Sequence, residues 1–152
     1  MLLLTMNIDA QRFGLDAQHI IEIIPLVKLD HVPLVEDCIR GIFNYRGTPV
    51  PVIDLCMFFE NHKCRDNLGS RIIIIHIKMP DGTDKTIGLL AEHMTEVIKC
   101  NPKDFTHSGI HAAKAPFLQH VYPYNNELIQ IIDVTKVIPD SISQQLGTVG
   151  LS

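Results

Sequence analysis

The 152-residue chain has no tryptophan, and only 20% of its residues are charged. Thirteen Lys plus Arg against seventeen Asp plus Glu leave a formal charge of −4, without the basic excess that grips DNA, RNA or anionic lipid. No long apolar stretch is present either. The four isoleucines Ile72 to Ile75 fall far short of a membrane span, so no direct membrane insertion is expected. The opening Met1-Leu2-Leu3-Leu4 has no basic flank and meets Asp9 too soon for a signal peptide, which leads us to expect a cytoplasmic protein. Cys38, Cys56, Cys64 and Cys100 contain no C-x-x-C pair, and in a reducing compartment they are expected to be free, mostly structural thiols. There is no G-x-S-x-G nucleophile elbow and no phosphate-cradling glycine loop.

Hydrophobic residues make up 46% of the chain, enough for a core in one domain or in two very small ones packed together. The apolar segments are short and rich in β-branched residues, which favours strands. Strands are expected at Leu2 to Ile8 and at Ile20 to Ile24, the second stopped by Pro25. Ile39 to Tyr45 and Thr48 to Ile53 flank the compact turn Arg46-Gly47. Ile72 to Ile77 and Thr86 to Ala91 flank Pro80-Asp81-Gly82. Further strands are expected at Thr95 to Cys100, Leu118 to Tyr122 and Leu128 to Ile132. Helical periodicity is confined to Leu55 to Phe59 and Val134 to Ile138. The pattern is that of an all-β barrel or sandwich.

The sequence also repeats. Gly14-Leu15-Asp16-Ala17-Gln18-His19-Ile20-Ile21-Glu22-Ile23-Ile24 returns as Gly88-Leu89-Leu90-Ala91-Glu92-His93-Met94-Thr95-Glu96-Val97-Ile98, identical at six of eleven positions with a shift of 74. Val50 to Leu55 matches Ile129 to Val134 at a shift of 79, which also aligns Tyr45 with Tyr124. Two matches in the same order imply two similar halves, each too small for its own core and packed against the other, with a groove at their junction.

Candidates for catalysis are poor. Asp54 and Asp133 are equivalent between the halves, but each ends an apolar strand before a short helical pattern, where an N-cap belongs. His107 and His111 have i, i+4 spacing, but Gly109 between them argues against a helix, and no Glu follows His107 to make a zinc-protease motif. His62-Lys63-Cys64 offers two ligands and no recognisable further pair. His19 and His93 are equivalent turn residues. No metal and no cofactor is expected. Binding is the better reading, and Arg46 stands out: a guanidinium between Tyr45 and Gly47, in a turn between two apolar strands, is either a solvated turn charge or a rigid fork for carbonyls or a carboxylate. Glu22, alone in an apolar strand, is a candidate neighbour or partner contact, and Gly41 and Gly47 bracket the strand where tight backbone geometry is permitted.

The stretch from Ile39 to Leu55 resembles the signature of CheW-type chemotaxis coupling proteins, with Asn44-Tyr45-Arg46-Gly47 matching Asn-x-Arg-Gly and Pro51-Val52-Ile53-Asp54-Leu55 matching Pro-x-x-Asp-Leu. Gly14 to Ile24 is similar to that family's first block, Gly88 to Leu90 with Thr95 to Val97 to its second, and Leu128 to Ile138 to its last strand and short helix. The resemblance implies one CheW-like domain over residues 1–152, made of two pseudo-symmetric five-stranded SH3-like barrels divided near residues 60–72. It implies a non-catalytic adaptor that binds the cytoplasmic tip of methyl-accepting chemoreceptors and the regulatory domain of a CheA-type histidine kinase, with no nucleic acid partner. The partner-binding residues it implies are Arg46 with Gly41 and Gly47, Ile20 and Glu22 in the first block, and Met94 and Val97 in the second. Some positions depart from the pattern: Cys56 stands where a basic residue is common, and Ala91-Glu92 replaces a frequent Val-Asp. These leave open an adaptor for pilus-driven motility or another chemosensory pathway. A small thiol- or metal-dependent enzyme is the competing class, and it predicts a reactive Cys56 or Cys64 or a bound zinc.

Overall fold

The β-branched runs of the sequence form the strands of a computed structural model that describes residues 1–79, 81–110, 117–139 and 142. Among the described residues there are eleven: β1 (Leu2–Ile8), β2 (Gln11–Asp16), β3 (Ile20–Pro25), β4 (Ile39–Tyr45), β5 (Thr48–Asp54), β6 (Arg71–Lys78), β7 (Asp84–Ala91), β8 (His93–Lys99), β9 (Thr106–His107), β10 (His120–Tyr124) and β11 (Glu127–Ile132). One short helix, α1 (Leu55–Glu60), follows β5. The helical pattern expected from Val134 to Ile138 becomes a 3-10 turn over Val134–Lys136. The strand Gln11–Asp16 carries no clear signal in the sequence, because Phe13 and Leu15 are its only large apolar side chains. His111 and Pro80 of the expected motifs lie outside the described residues.

The strands make two sheets of matching order. The first runs β8-β1-β2-β11-β10 with the two-residue β9 added at its edge, and the second runs β3-β6-β7-β5-β4. Each sheet therefore draws on both sequence repeats. The stretch near 60–72 separates the repeats along the chain, while the chain changes sheet at Ala17–His19 and again at Glu92. The pairing registers repeat as well: β5 runs parallel to β7 with Val52 opposite Gly88, and β11 runs parallel to β2 with Ile131 opposite Gly14. Both SH3-like halves of the expected fold are present, interleaved in sequence.

One core joins the sheets. Leu4, Met6, Phe13 and Leu15 of the first pack in the same cluster as Val52, Ile53 and Ile72 to Ile75 of the second. The four isoleucines are all 0% exposed, so β6 is covered on both faces, and this is why its sequence reads as an apolar run without alternation. Each such side chain contributes roughly 1.5–3 kcal/mol on burial. Aromatic side chains extend the seam: Phe59 of α1 stacks on Phe13 at 4.8 Å between ring centroids, and Phe58 meets Phe117 at 4.9 Å. A smaller cluster of Leu3, Ile98 and Ile129 fills the interior of the first sheet alone.

Candidate partner-binding site

The turn that carries Arg46 is a two-residue hairpin. Tyr45 pairs with Thr48, and the central residues Arg46 and Gly47 have φ of +54° and +87°. Positive φ at both positions is the backbone that suits the twist of the flanking strands. The side-chain oxygen of Asn44 accepts the Gly47 N–H at 2.8 Å and fixes the turn. This explains Asn-x-Arg-Gly physically: Asn locks the turn, Gly permits it, and Arg is held out at its tip.

Arg46 does not simply point into solvent. Its guanidinium donates to Glu22 Oε1 at 2.8 Å and lies 5.1 Å from the centre of the Tyr45 ring. Tyr45 Oη donates to the same Glu22 oxygen at 2.5 Å. That hydrogen bond, with burial second, pushes the Tyr45 phenol up from its ordinary value. β3 and β4 are the two outer strands of their sheet. The Glu22–Tyr45–Arg46 cluster therefore joins the sheet's two edges through side chains. An exposed ion pair alone contributes little, but here it shares its carboxylate with a phenol and its cation with a ring.

The other half has the same clip, built from a different cation. Glu96, the repeat equivalent of Glu22, accepts from Arg12 at 2.7 Å. Arg12 also donates to Glu127 at 3.1 Å and lies 5.8 Å from the centre of Tyr124, the equivalent of Tyr45. Sequence reasoning passed over Arg12, although the repeated Glu and Tyr were signals that a matching cation had to be found.

The seven expected residues fall on the two sheets. Ile20, Glu22, Arg46 and Gly47 belong to the second, where Ile20 is half-buried against the shared core and Glu22 meets Arg46. Met94 and Val97 lie on β8 of the first, Met94 half-buried against the same core and Val97 54% exposed. Gly41 is buried rather than presented: a Cβ there would stand 2.5 Å from the carbonyl oxygen of Asp30, whose backbone bridges to Ile42. It lets the 29–30 segment cross β4 closely.

The thiols are built into the interior. Asp54, Cys56 and Cys64 are all buried, with their ligand atoms within 4.8 Å of one another. Yet both carboxylate oxygens are engaged: Asp54 Oδ1 caps α1 through Met57 N–H at 3.1 Å, and Oδ2 accepts from Arg40 at 2.7 Å and Cys64 N–H at 3.0 Å. A guanidinium already neutralises the carboxylate that a cation would need. The hydrogen bond with Cys56, and then burial, push the Cys64 thiol strongly up, while burial pushes Cys38 up to about 11. Thiols so raised are poor nucleophiles. The cluster is a structural knot, and the N-cap expected at Asp54 is its centre. Asp133 caps the matching turn through Thr135 N–H at 3.1 Å.

Comparison with known proteins completes the assignment. The CheW-like domain family model matches residues 2–141. The chain belongs to the CheW-like domain family. Its similar relatives include the chemotaxis protein CheW of Bacillus subtilis (strain 168), 24% identical over 139 residues that span 90% of this chain and 86% of that protein. The chemotaxis protein CheW of Treponema pallidum (strain Nichols) is 20% identical over 151 residues, 95% and 86% of the two chains. In fold, the chain matches the scaffolding protein TtCheW from Thermoanaerobacter tengcongensis with a TM-score of 0.76 at 24% identity, covering 90% of this chain and 86% of that one. CheW-like proteins are non-catalytic scaffolds, so this chain is an adaptor of the chemotaxis type and not an enzyme. Among the described residues no helix is long and apolar enough to cross a membrane.

Proposed function

We propose that this CheW-like chain couples methyl-accepting chemoreceptors to a CheA-type histidine kinase in the cytoplasm, residues 2–141 acting as one domain. The kinase's regulatory domain and the receptor's cytoplasmic tip are its two partners, and the residues proposed to meet them lie around Arg46, Glu22 and Ile20 on one sheet and Met94 and Val97 on the other. Gly47 sets the Arg46 turn, and Gly41 supports it from the interior.

The observation that carries this reading is the Glu22–Tyr45–Arg46 cluster, which holds the family's Asn-x-Arg-Gly arginine at a sheet edge with its side chain 73% exposed. A surface so fixed favours recognition because little side-chain freedom is lost on binding. The single core shared by both sheets makes the domain a stiff connector. Receptor state then reaches the kinase as a difference in contact free energy between two arrangements, with no chemistry in the adaptor.

The test is a pull-down of the host's kinase regulatory domain and receptor tip with wild type beside Arg46→Ala. Retention of both by wild type, with one weakened about tenfold in the variant, supports the coupling role. Retention of neither by folded wild type rejects it, since fold alone does not confer function.

A further inference from the structure

The strand β8 carries an irregularity directly between the two residues proposed as contacts. Met94 pairs with Met6 and Val97 with Leu4, so Thr95 and Glu96 together face Thr5 in a β-bulge. A bulge leaves backbone groups unpaired, and the buried Thr5 hydroxyl takes them up: it donates to Glu96 O at 2.9 Å and accepts from Glu96 N–H at 3.2 Å. Arg12 covers this arrangement, donating to Glu96 Oε1 at 2.7 Å, Thr5 Oγ1 at 3.2 Å and Thr95 Oγ1 at 3.4 Å.

The same bulge stands in β3, where Ile20 pairs with Ile75 and Glu22 with Ile74, and there the glutamate is held by Tyr45 and Arg46. The repeat position of Arg12 in that sheet is Thr86, which carries no charge, and the turn equivalent to Arg46-Gly47 is the uncharged Asn125-Asn126, also with positive φ at both residues. The cation has thus moved from turn to strand while the bulge and its glutamate have stayed. The arrangement also has a cost: among the described residues Arg12 Nε is buried with no hydrogen-bond partner.

Building on the adaptor reading above, we propose that Arg12 is the positioning residue of the β8 face, locking the Thr95–Glu96 bulge so that Val97 is presented to a protein partner, as Arg46 and Tyr45 lock Glu22 on the other sheet. Arg12 acts through β8 and does not itself meet the partner.

The experiment titrates the full chain against two probes, the host's kinase regulatory domain and a receptor-tip helical hairpin, for wild type, Val97→Ala, Arg12→Met, Arg12→Lys and the Val97→Ala/Arg12→Met pair. Hydrogen exchange is followed at β3 and β8 amides. Val97→Ala is expected to weaken one probe. Arg12→Met is expected to weaken that same probe about five- to tenfold, with the pair weaker by less than the product of the two. Arg12→Lys should recover part of the loss, and exchange should quicken in β8 and not in β3. If Val97→Ala weakens a probe but Arg12→Met binds as wild type, or the two losses simply multiply, the positioning role is overturned and the adaptor reading stands. If Val97→Ala binds both probes normally, the β8 contact itself is wrong and the proposal falls with it, while Arg46→Ala still tests the coupling role. Should Arg12→Met fail to fold, Glu96→Gln, which keeps the Glu127 pair and both hydroxyls, must show the same selective loss or the proposal fails.

Discussion

Tyr45 Oη donates to Glu22 Oε1 at 2.5 Å, and these two residues stand on strands at opposite edges of one five-stranded sheet. Among the described residues no backbone ladder joins β3 to β4, so the contact between these edges runs through side chains. Tyr45→Phe keeps the ring packed against Phe43 and removes only the hydroxyl. It should lower the melting temperature slightly and quicken hydrogen exchange in β3 more than in β6. Equal exchange in both variants would show that the edges are held by packing alone.

Gly14 and Gly88 occupy equivalent parallel pairings, and both are crowded. A Cβ on Gly14 would stand 2.7 Å from Leu3 Cδ2 and 2.9 Å from Ile129 Cγ2, and one on Gly88 would stand 2.7 Å from Ile72 Cγ2. Here glycine is needed for room among the side chains of its own sheet, not for a special φ. Gly14→Ala and Gly88→Ala should each destabilise by about 1–3 kcal/mol in urea unfolding, the range for overpacking a filled core. A neutral result at either position would mean that its sheet is free to shift.

Much of this arrangement was legible in advance. The strands from Ile39 to Ile53 and from Ile72 to Ala91 follow from β-branched runs and turn residues, and the repeat announced two halves before any strand was placed. The interleaving of the halves was not legible, because pairing partners such as β1 with β8 lie far apart in the chain and no local pattern encodes them. Gln11–Asp16 was missed for a related reason: its centre is a glycine kept small for packing, which weakens its strand signal. At the site, the sequence offers Glu22 as a candidate neighbour of Arg46 and the structure joins them, but no local pattern encodes that their contact spans the sheet's open side. Arg12 lies among polar residues at the end of a hairpin, where a cation is ordinary until the fold brings Glu96 and Tyr124 to it.

Asp54 and Asp133 share a repeat position and a capping role but differ in burial, being 1% and 45% exposed at the side chain. Asp54→Ala strands the Arg40 guanidinium and the Cys64 N–H together, so its cost should be about 3–5 kcal/mol, as for breaking a buried pair from one side. Asp133→Ala loses an exposed cap and should cost about 0.5–2 kcal/mol. Urea midpoints at neutral pH measure both. Equal losses would mean that the Arg40 pair adds nothing beyond capping.

His62 ties the end of the α1 segment to the β1–β2 turn, its Nε2 lying 2.8 Å from Asp9 Oδ1, and so links elements of the two sheets. The Lys63 carbonyl first, and then Asp9, raise the imidazole above its ordinary value of 6.5. A folded-state value above the unfolded one means that the imidazolium is favoured by folding. Its contribution is complete below about pH 6.5 and fades as the pH rises through the higher folded value. Asp9→Asn removes one cause of the shift and leaves the Lys63 carbonyl in place. The difference in melting temperature between wild type and Asp9→Asn should therefore be larger at pH 5.5 than at pH 8.5. A difference that is constant across that range would show that the tether acts as a hydrogen bond independent of charge, because a neutral imidazole can still donate to Asp9.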